Sequence, residues 1–168
     1  MKIVISESQY NRLIETEKKP KILEFPSLEF FDNDPFEAWT IIQKILERKG
    51  NPPYSIGGDL VLINTPIESL GNLVSVGGGL NLVGTPIESL GNLQSVGGYL
   101  DLRRTPIESL GNLQSVGEFL DLEKTPIQSL GKLESVGGFL DLRRTPLSKM
   151  YTREQIREIV NVGGKIFL

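Results

Sequence analysis

From Gly57 onward the chain repeats itself every 20 residues, with units opening at Gly57, Gly77, Gly97, Gly117 and Gly137. The run TPIESLGNL stands unchanged at 65–73, 85–93 and 105–113, and returns as TPIQSLGKL at 125–133. A unit this short cannot bury its own apolar side, so each one must close against the next. That requirement leaves a solenoid and overrides any segment-by-segment reading.

The unit that opens at Gly97 shows the design. Leu100 and Leu102 are spaced by two, which predicts a short strand with both side chains turned inward. Ile107, Leu110, Leu113 and Val116 are spaced by three, which predicts a tight helical or 3₁₀-like return arm. Thr105-Pro106 marks the bend between them, because proline holds the preceding residue extended and brings no N–H to a ladder. Gly97-Gly98 makes the second corner, where positive φ or close backbone approach is needed.

With these residues in view, the chain resembles the leucine-rich repeat superfamily, and SLGNLxSVGGxLxL is similar to the short repeats of receptor L domains and of related bacterial and viral repeat proteins. The position where the usual repeat carries Asn is here Thr65, Thr85, Thr105, Thr125 and Thr145. A threonine can still bond to turn backbone, without the amide's paired donor and acceptor. The resemblance implies an α/β repeat solenoid, a right-handed coil with a parallel face of about six strands and helical elements at both ends. It says nearly nothing about function. The expected organisation is an N-terminal helical region and cap over 1–54, the solenoid over 55–150, and a capping helix with a last strand over 151–168.

The ends follow from other signals. Ile166 and Leu168 align with Leu140 and Leu142, which predicts a sixth strand, and the spacing from Gly137 to Gly163 is six longer than the repeat. The extra residues suit a helix over 153–160 with Thr152 as N-cap, Gln155 closing a capping box, and Ile156, Ile159 and Val160 inward. Upstream, a strand is expected over 2–5, a helix over about 7–17, and an extended or irregular stretch around Pro26. Asp34-Pro35-x-Glu37 opens a second helix holding Trp39, Ile41, Ile42, Ile45 and Leu46, which Lys49-Gly50 closes. This helix is expected to cover the first coil with Trp39; the alternative is a docking surface of Trp39, Phe30 and Phe31. The opening KIVISESQYNRLI resembles the leader of many small tailed-phage proteins, and the whole chain resembles phage-encoded leucine-rich-repeat proteins. That resemblance implies the cytoplasm of a bacterial host, or a virion.

Composition excludes several chemistries. The chain has no cysteine and no histidine, so thiol, disulfide and imidazole catalysis are out. A formal net charge of -3 supplies no general attraction for nucleic acid, and no specific nucleic acid is expected. No stretch has the roughly 18 apolar residues of a membrane span, and the first residues make a poor signal peptide. A soluble, cytoplasmic protein with no cofactor and no metal is the expectation.

What distinguishes one coil from another lies on the strand face. If the leucines point in, the residues between them stack in columns about 4.8 Å apart. The first column is Asp59, Gly79, Tyr99, Phe119, Phe139 and Lys165; the second is Val61, Asn81, Asp101, Asp121, Asp141 and Phe167. The third is Ile63, Val83, Arg103, Glu123 and Arg143, beside Asn64, Gly84, Arg104, Lys124 and Arg144. Coils three to five, opening at Gly97, Gly117 and Gly137, thus carry aromatic, acidic and mixed-charge ladders. Tyr99, Phe119 and Phe139 read either as the centre of a binding face or as sheet-stabilising rings. Arg103, Glu123 and Arg143 read as cross-strand ion pairs. The three aspartates form a flat row rather than a cage for a hard cation, and nothing supplies the pocket of a glycosidase pair.

The functional expectation is a non-enzymatic repeat scaffold that binds a protein through Tyr99, Asp101, Arg103, Phe119, Asp121, Glu123, Phe139, Asp141 and Arg143. The alternative is a structural or assembly component of a phage particle. The apolar last strand, Ile166-Phe167-Leu168, also offers an edge through which a second copy can pair.

Overall fold

The computed structural model describes Ser6, Glu7, residues 21–26 and residues 35–168. The expected strand over 2–5, most of the helix over 7–17, the cap Asp34, and Phe30 and Phe31 lie outside the described residues.

The chain is a β-solenoid of stacked coils with parallel strands in two sheets. Strand β1 (Leu23–Phe25) pairs in parallel with β2 (Tyr54–Ile56), and helix α1 (Pro35–Arg48) lies between them in sequence. Each coil then contributes two very short strands. One sheet holds β1, β2, β4 (Leu73–Val76), β6 (Ser95–Val96), β8 (Ser115–Val116), β10 (Ser135–Val136) and β12 (Asn161–Val162). The other holds β3 (Leu60–Val61), β5 (Leu80–Asn81), β7 (Leu100–Asp101), β9 (Leu120–Asp121), β11 (Leu140–Asp141) and β13 (Ile166–Phe167). The six-stranded sheet is the expected strand face, with Leu140 paired to Ile166 across the last step.

The return arm departs from its expectation. Three-residue spacing predicts a helical turn, yet the arm runs through turns and extended segments and then delivers the second strand. Two local causes are visible. Gly111 sits at φ +57°, a left-handed residue that stops a helix where Leu113 N–H closes a tight turn onto the Leu110 carbonyl. The arm amides also bond to the neighbouring coil: Gln114 donates to the Gln94 carbonyl at 2.8 Å and Gln128 to the Glu108 carbonyl at 2.8 Å. Apolar side chains spaced by three therefore face inward from a coil that spends its hydrogen bonds between units.

The core is a set of aliphatic columns, with Leu100, Leu102, Ile107, Leu110, Leu113 and Val116 of coil three all buried. The threonine after the strand is buried in coils two to five and half-buried in coil one. Its hydroxyl donates to the carbonyl of the leucine three residues earlier, as in Thr105 to Leu102 at 2.7 Å, and so closes the turn. The corner glycines Gly97, Gly117 and Gly137 have ordinary φ values. Their need is space, because a Cβ on Gly117 would collide with the Gly97 carbonyl of the coil below.

Both ends are closed by helices. Helix α1 buries Ala38, Trp39, Ile42 and Leu46, while Ile41 faces solvent, outside the inward stripe. Trp39 packs on Tyr54 with ring centroids 6.3 Å apart, and Phe25 meets the same ring edge-on at 6.0 Å. Trp39 is thus a covering residue of the first coil and is not available as a docking surface. The helix stops in a Schellman arrangement: Gly50 sits at φ +78° and donates to the Glu47 carbonyl, and Asn51 donates to the Leu46 carbonyl. At the other end, α2 (Leu147–Met150) and α3 (Arg153–Ile159) fill the enlarged coil. The Thr152–Gln155 capping box forms as expected, and Ile156 and Val160 are buried. Ile159, expected inward, is exposed: the helix ends there, and Val160, already extended, turns into the core instead.

Candidate functional site

The strand face brings the nine predicted site residues together on β7, β9 and β11 and the residues that flank them, but it does not display them all. Tyr99, Phe119 and Phe139 are half-buried and stack in register. Ring centroids are 5.1 Å apart between Tyr99 and Phe119 and 4.8 Å between Phe119 and Phe139, with planes within 11° and 2°. The pile starts on Gly79, whose missing Cβ leaves room for the Tyr99 ring. It ends on Phe167, which meets Phe139 edge-on at 5.8 Å. Stacked this way, the rings spend their faces on one another and offer a partner only their edges.

The aspartate column is the main correction. Strand alternation places Asp101, Asp121 and Asp141 on the outer side of the sheet, yet all three are buried. Each folds back to accept the amide two residues ahead: Arg103 N–H at 3.2 Å, Glu123 N–H at 2.9 Å and Arg143 N–H at 3.0 Å. Asn81 does the same for Val83 at 3.2 Å. Arginine then seals two of the carboxylates. Arg103 holds Asp101 through Nε at 2.9 Å and Nη2 at 2.6 Å, and Arg143 grips Asp141 in the same fork. The aspartates are thus turn-forming acceptors beneath an arginine cover.

The third column does not pair within itself as expected. Arg103 reaches down to Asp101 and across to Asp121 at 3.4 Å. Glu123 is held instead by Lys124 at 3.7 Å and Arg144 at 3.4 Å. Asp121, with no arginine in its own coil, has its pKa raised, first by burial and then by the neighbouring Asp141 and Asp101. Arg143 also lies over the Phe167 ring, 5.5 Å from its centroid.

Arg103, Arg104, Lys124, Arg143 and Arg144 are therefore what this face presents to solvent, with Glu123 half-buried among them. Each gripping arginine uses its Nε/Nη2 edge on aspartate and leaves the outer edge of its guanidinium free for a second acceptor. A depression of about 130 Å³ lies between Val83, Arg103, Arg104, Glu123 and Lys124. A shallower trough of about 350 Å³ runs over the opposite sheet, floored by the repeated Ser, Val and Gly of 95–97, 115–117 and 135–137. The repeated SVG motif was the signal for that trough, and it reads in sequence only as a corner.

Among the described residues no group of three Asp or Glu converges as metal ligands, and no helix is long and apolar enough to cross a membrane. Comparison with protein-family models, curated proteins and solved structures finds no match.

Proposed function

We propose that the protein is a non-enzymatic repeat scaffold that binds a partner protein through the strand face of coils three to five. The observation that carries this reading is the contrast along one face of an otherwise repeated stack. Ile63, Asn64, Val83 and Gly84 occupy the turn positions of coils one and two, whereas Arg103, Arg104, Glu123, Lys124, Arg143 and Arg144 occupy them in coils three to five. Burial of the leucine columns requires none of these charges, and the arginine forks hold two of them rigidly in place, so little side-chain entropy is lost on binding. Kinship with leucine-rich repeats and a phage origin belong to the same proposal.

The test compares native-lysate captures by the wild type and by a Tyr99→Ser, Phe119→Ser, Phe139→Ser variant, with an Arg103→Ser, Arg143→Ser variant alongside. Loss of one defined partner with the fold retained by circular dichroism supports the strand face. An unchanged capture by both variants sinks it. A second reading, a structural component of a phage particle, draws on the ring pile, which is complete in itself. Stoichiometric presence in purified virions is its test.

A further inference from the structure

The turn that follows each strand of the face has a backbone demand that its residues ignore in coils three to five. The fourth position is left-handed in every coil: Asn64 at φ +53°, Gly84 at +69°, Arg104 at +61°, Lys124 at +62° and Arg144 at +61°. Glycine and asparagine are the residues that tolerate this conformation, whereas arginine and lysine sit there under strain. Three consecutive coils therefore hold a cation where the fold alone favours Gly or Asn. Arg104 has no ion-pair partner among the described residues, and Lys124 and Arg144 share the single carboxylate of Glu123. Their side chains stay open to solvent, 67% exposed for Arg144 and 40% for Lys124. Strain held at neighbouring positions and tied to one charge marks a surface kept for recognition.

We infer that this column, Arg104, Lys124 and Arg144 flanked by Arg103 and Arg143, docks a short, extended, acidic segment of a partner protein. The inference rests on the binding reading above and names the chemistry of the partner at the same face. Two coil steps span about 10 Å, the reach of three to four extended residues. A run of a few Asp or Glu side chains thus covers the column, and the depression lined by Arg103, Arg104, Lys124 and Glu123 seats a carboxylate on its three cations, in competition with Glu123 for Lys124. Nucleic acid is the poorer fit. Phosphate binding of useful strength draws on several more contacts, and a longer polyanion would run onto Asn64 and Gly84 of the same column, which are uncharged.

The test is fluorescence anisotropy on the full chain with a labelled peptide that carries a run of four glutamates between neutral residues, and with a single-stranded oligonucleotide and a lysine-rich peptide as separate arms. The variant is Arg104→Asn, Lys124→Asn, Arg144→Asn, which keeps the left-handed turns because Asn64 already occupies one. The expected result is salt-sensitive binding of the acidic peptide, weakened at least tenfold in the variant, whose melting temperature is equal to or above that of the wild type. No binding of the acidic peptide, equal binding by the variant, or tighter binding of the oligonucleotide overturns the inference. If those results come with a native partner whose capture still depends on Tyr99, Phe119 and Phe139, only the acidic-segment inference fails. If capture ignores the face as well, the binding reading falls with it.

Discussion

Arg103 grips the carboxylate of Asp101 two residues earlier, with Nε at 2.9 Å and Nη2 at 2.6 Å, while its own backbone N–H donates to the same Asp at 3.2 Å. A surface arginine and a buried acid thus form one folded unit, repeated by Arg143 and Asp141 two coils away. The coil between them lacks that cover. Asp121 is faced by Asp101 and Asp141 from its neighbours; Arg103 reaches it at 3.4 Å, and Arg143 acts on it only from farther off.

Asp121 accordingly sets an acid-side dependence of stability. Its folded pKa lies above the ordinary carboxylate value, so the native state binds a proton more readily than the unfolded chain does. Stability on this account rises as pH falls through the raised folded pKa, and levels off below the unfolded value near 4. Asp121→Asn keeps the acceptor for Glu123 N–H, as Asn81 does for Val83, and removes the charge. The variant is expected to be at least as stable as the wild type at pH 7 and to lack that contribution. Urea unfolding at a series of pH values checks it; a parallel pH dependence in both proteins would refute the assignment.

The ring pile makes a prediction of its own. Phe119 is stacked on both faces, by Tyr99 and Phe139. Replacing it with alanine removes two pairings and opens a gap in mid-pile, an expected loss of about 2 kcal/mol. Gly79→Ala attacks the same pile from its foot by pushing a Cβ into the Tyr99 ring. Both should lower the melting temperature and reduce the near-ultraviolet circular dichroism of the aromatics, and Phe119→Ala should do so more.

How much of this could be read beforehand depended on whether the signal was periodic or three-dimensional. The stack, the six-stranded face and the register of Ile166 against Leu140 follow from counting, because a 20-residue period admits one way to bury leucines. The helix ends were legible as well, since Thr152 with Gln155 and the glycine at 50 are local chemistry. The second strand was hidden: Ser115–Val116 is two residues long, and its pairing partners lie 20 residues away in each direction. The burial of Asp101, Asp121 and Asp141 was hidden too, because alternation says outward and the arginine cover exists only once the turn is folded. One clue was present, since an Asn or Asp two residues before a turn is suited to catch the turn amide, and Asn81 heads that column.

Two glycines of coil three and its neighbour should behave differently under the same substitution. Gly117 has an ordinary φ but no room, as its Cβ would strike the Gly97 carbonyl. Gly111 sits at φ +57° with nothing within 4 Å of a Cβ. Gly117→Ala must move backbone on both sides and is expected to lose about 3 kcal/mol. Gly111→Ala meets only the left-handed conformation, an expected loss of about 1 kcal/mol. Denaturant midpoints of the two variants, compared with the wild type, decide the order.

The last coil leaves acceptors facing outward where the next coil would have donated, and α3 covers them. Arg157 donates to the carbonyls of Val162 and Gly164, each at 2.6 Å, and Arg153 donates through Nε to the carbonyl of Ile166 at 2.9 Å. Three acceptors of the terminal edge, spread over both sheets, are thus occupied by two guanidiniums from one short helix. A second copy pairing through Ile166-Phe167-Leu168 would have to displace Arg153 first. Bare strand edges template association, so removing the cover should expose that tendency. Arg153→Ala with Arg157→Ala is expected to self-associate with rising concentration, to a degree the wild type does not reach, at an unchanged far-ultraviolet spectrum. Sedimentation velocity over a hundredfold concentration range measures it. Identical sedimentation of the two proteins would mean that the arginines anchor α3 and do nothing to guard the edge.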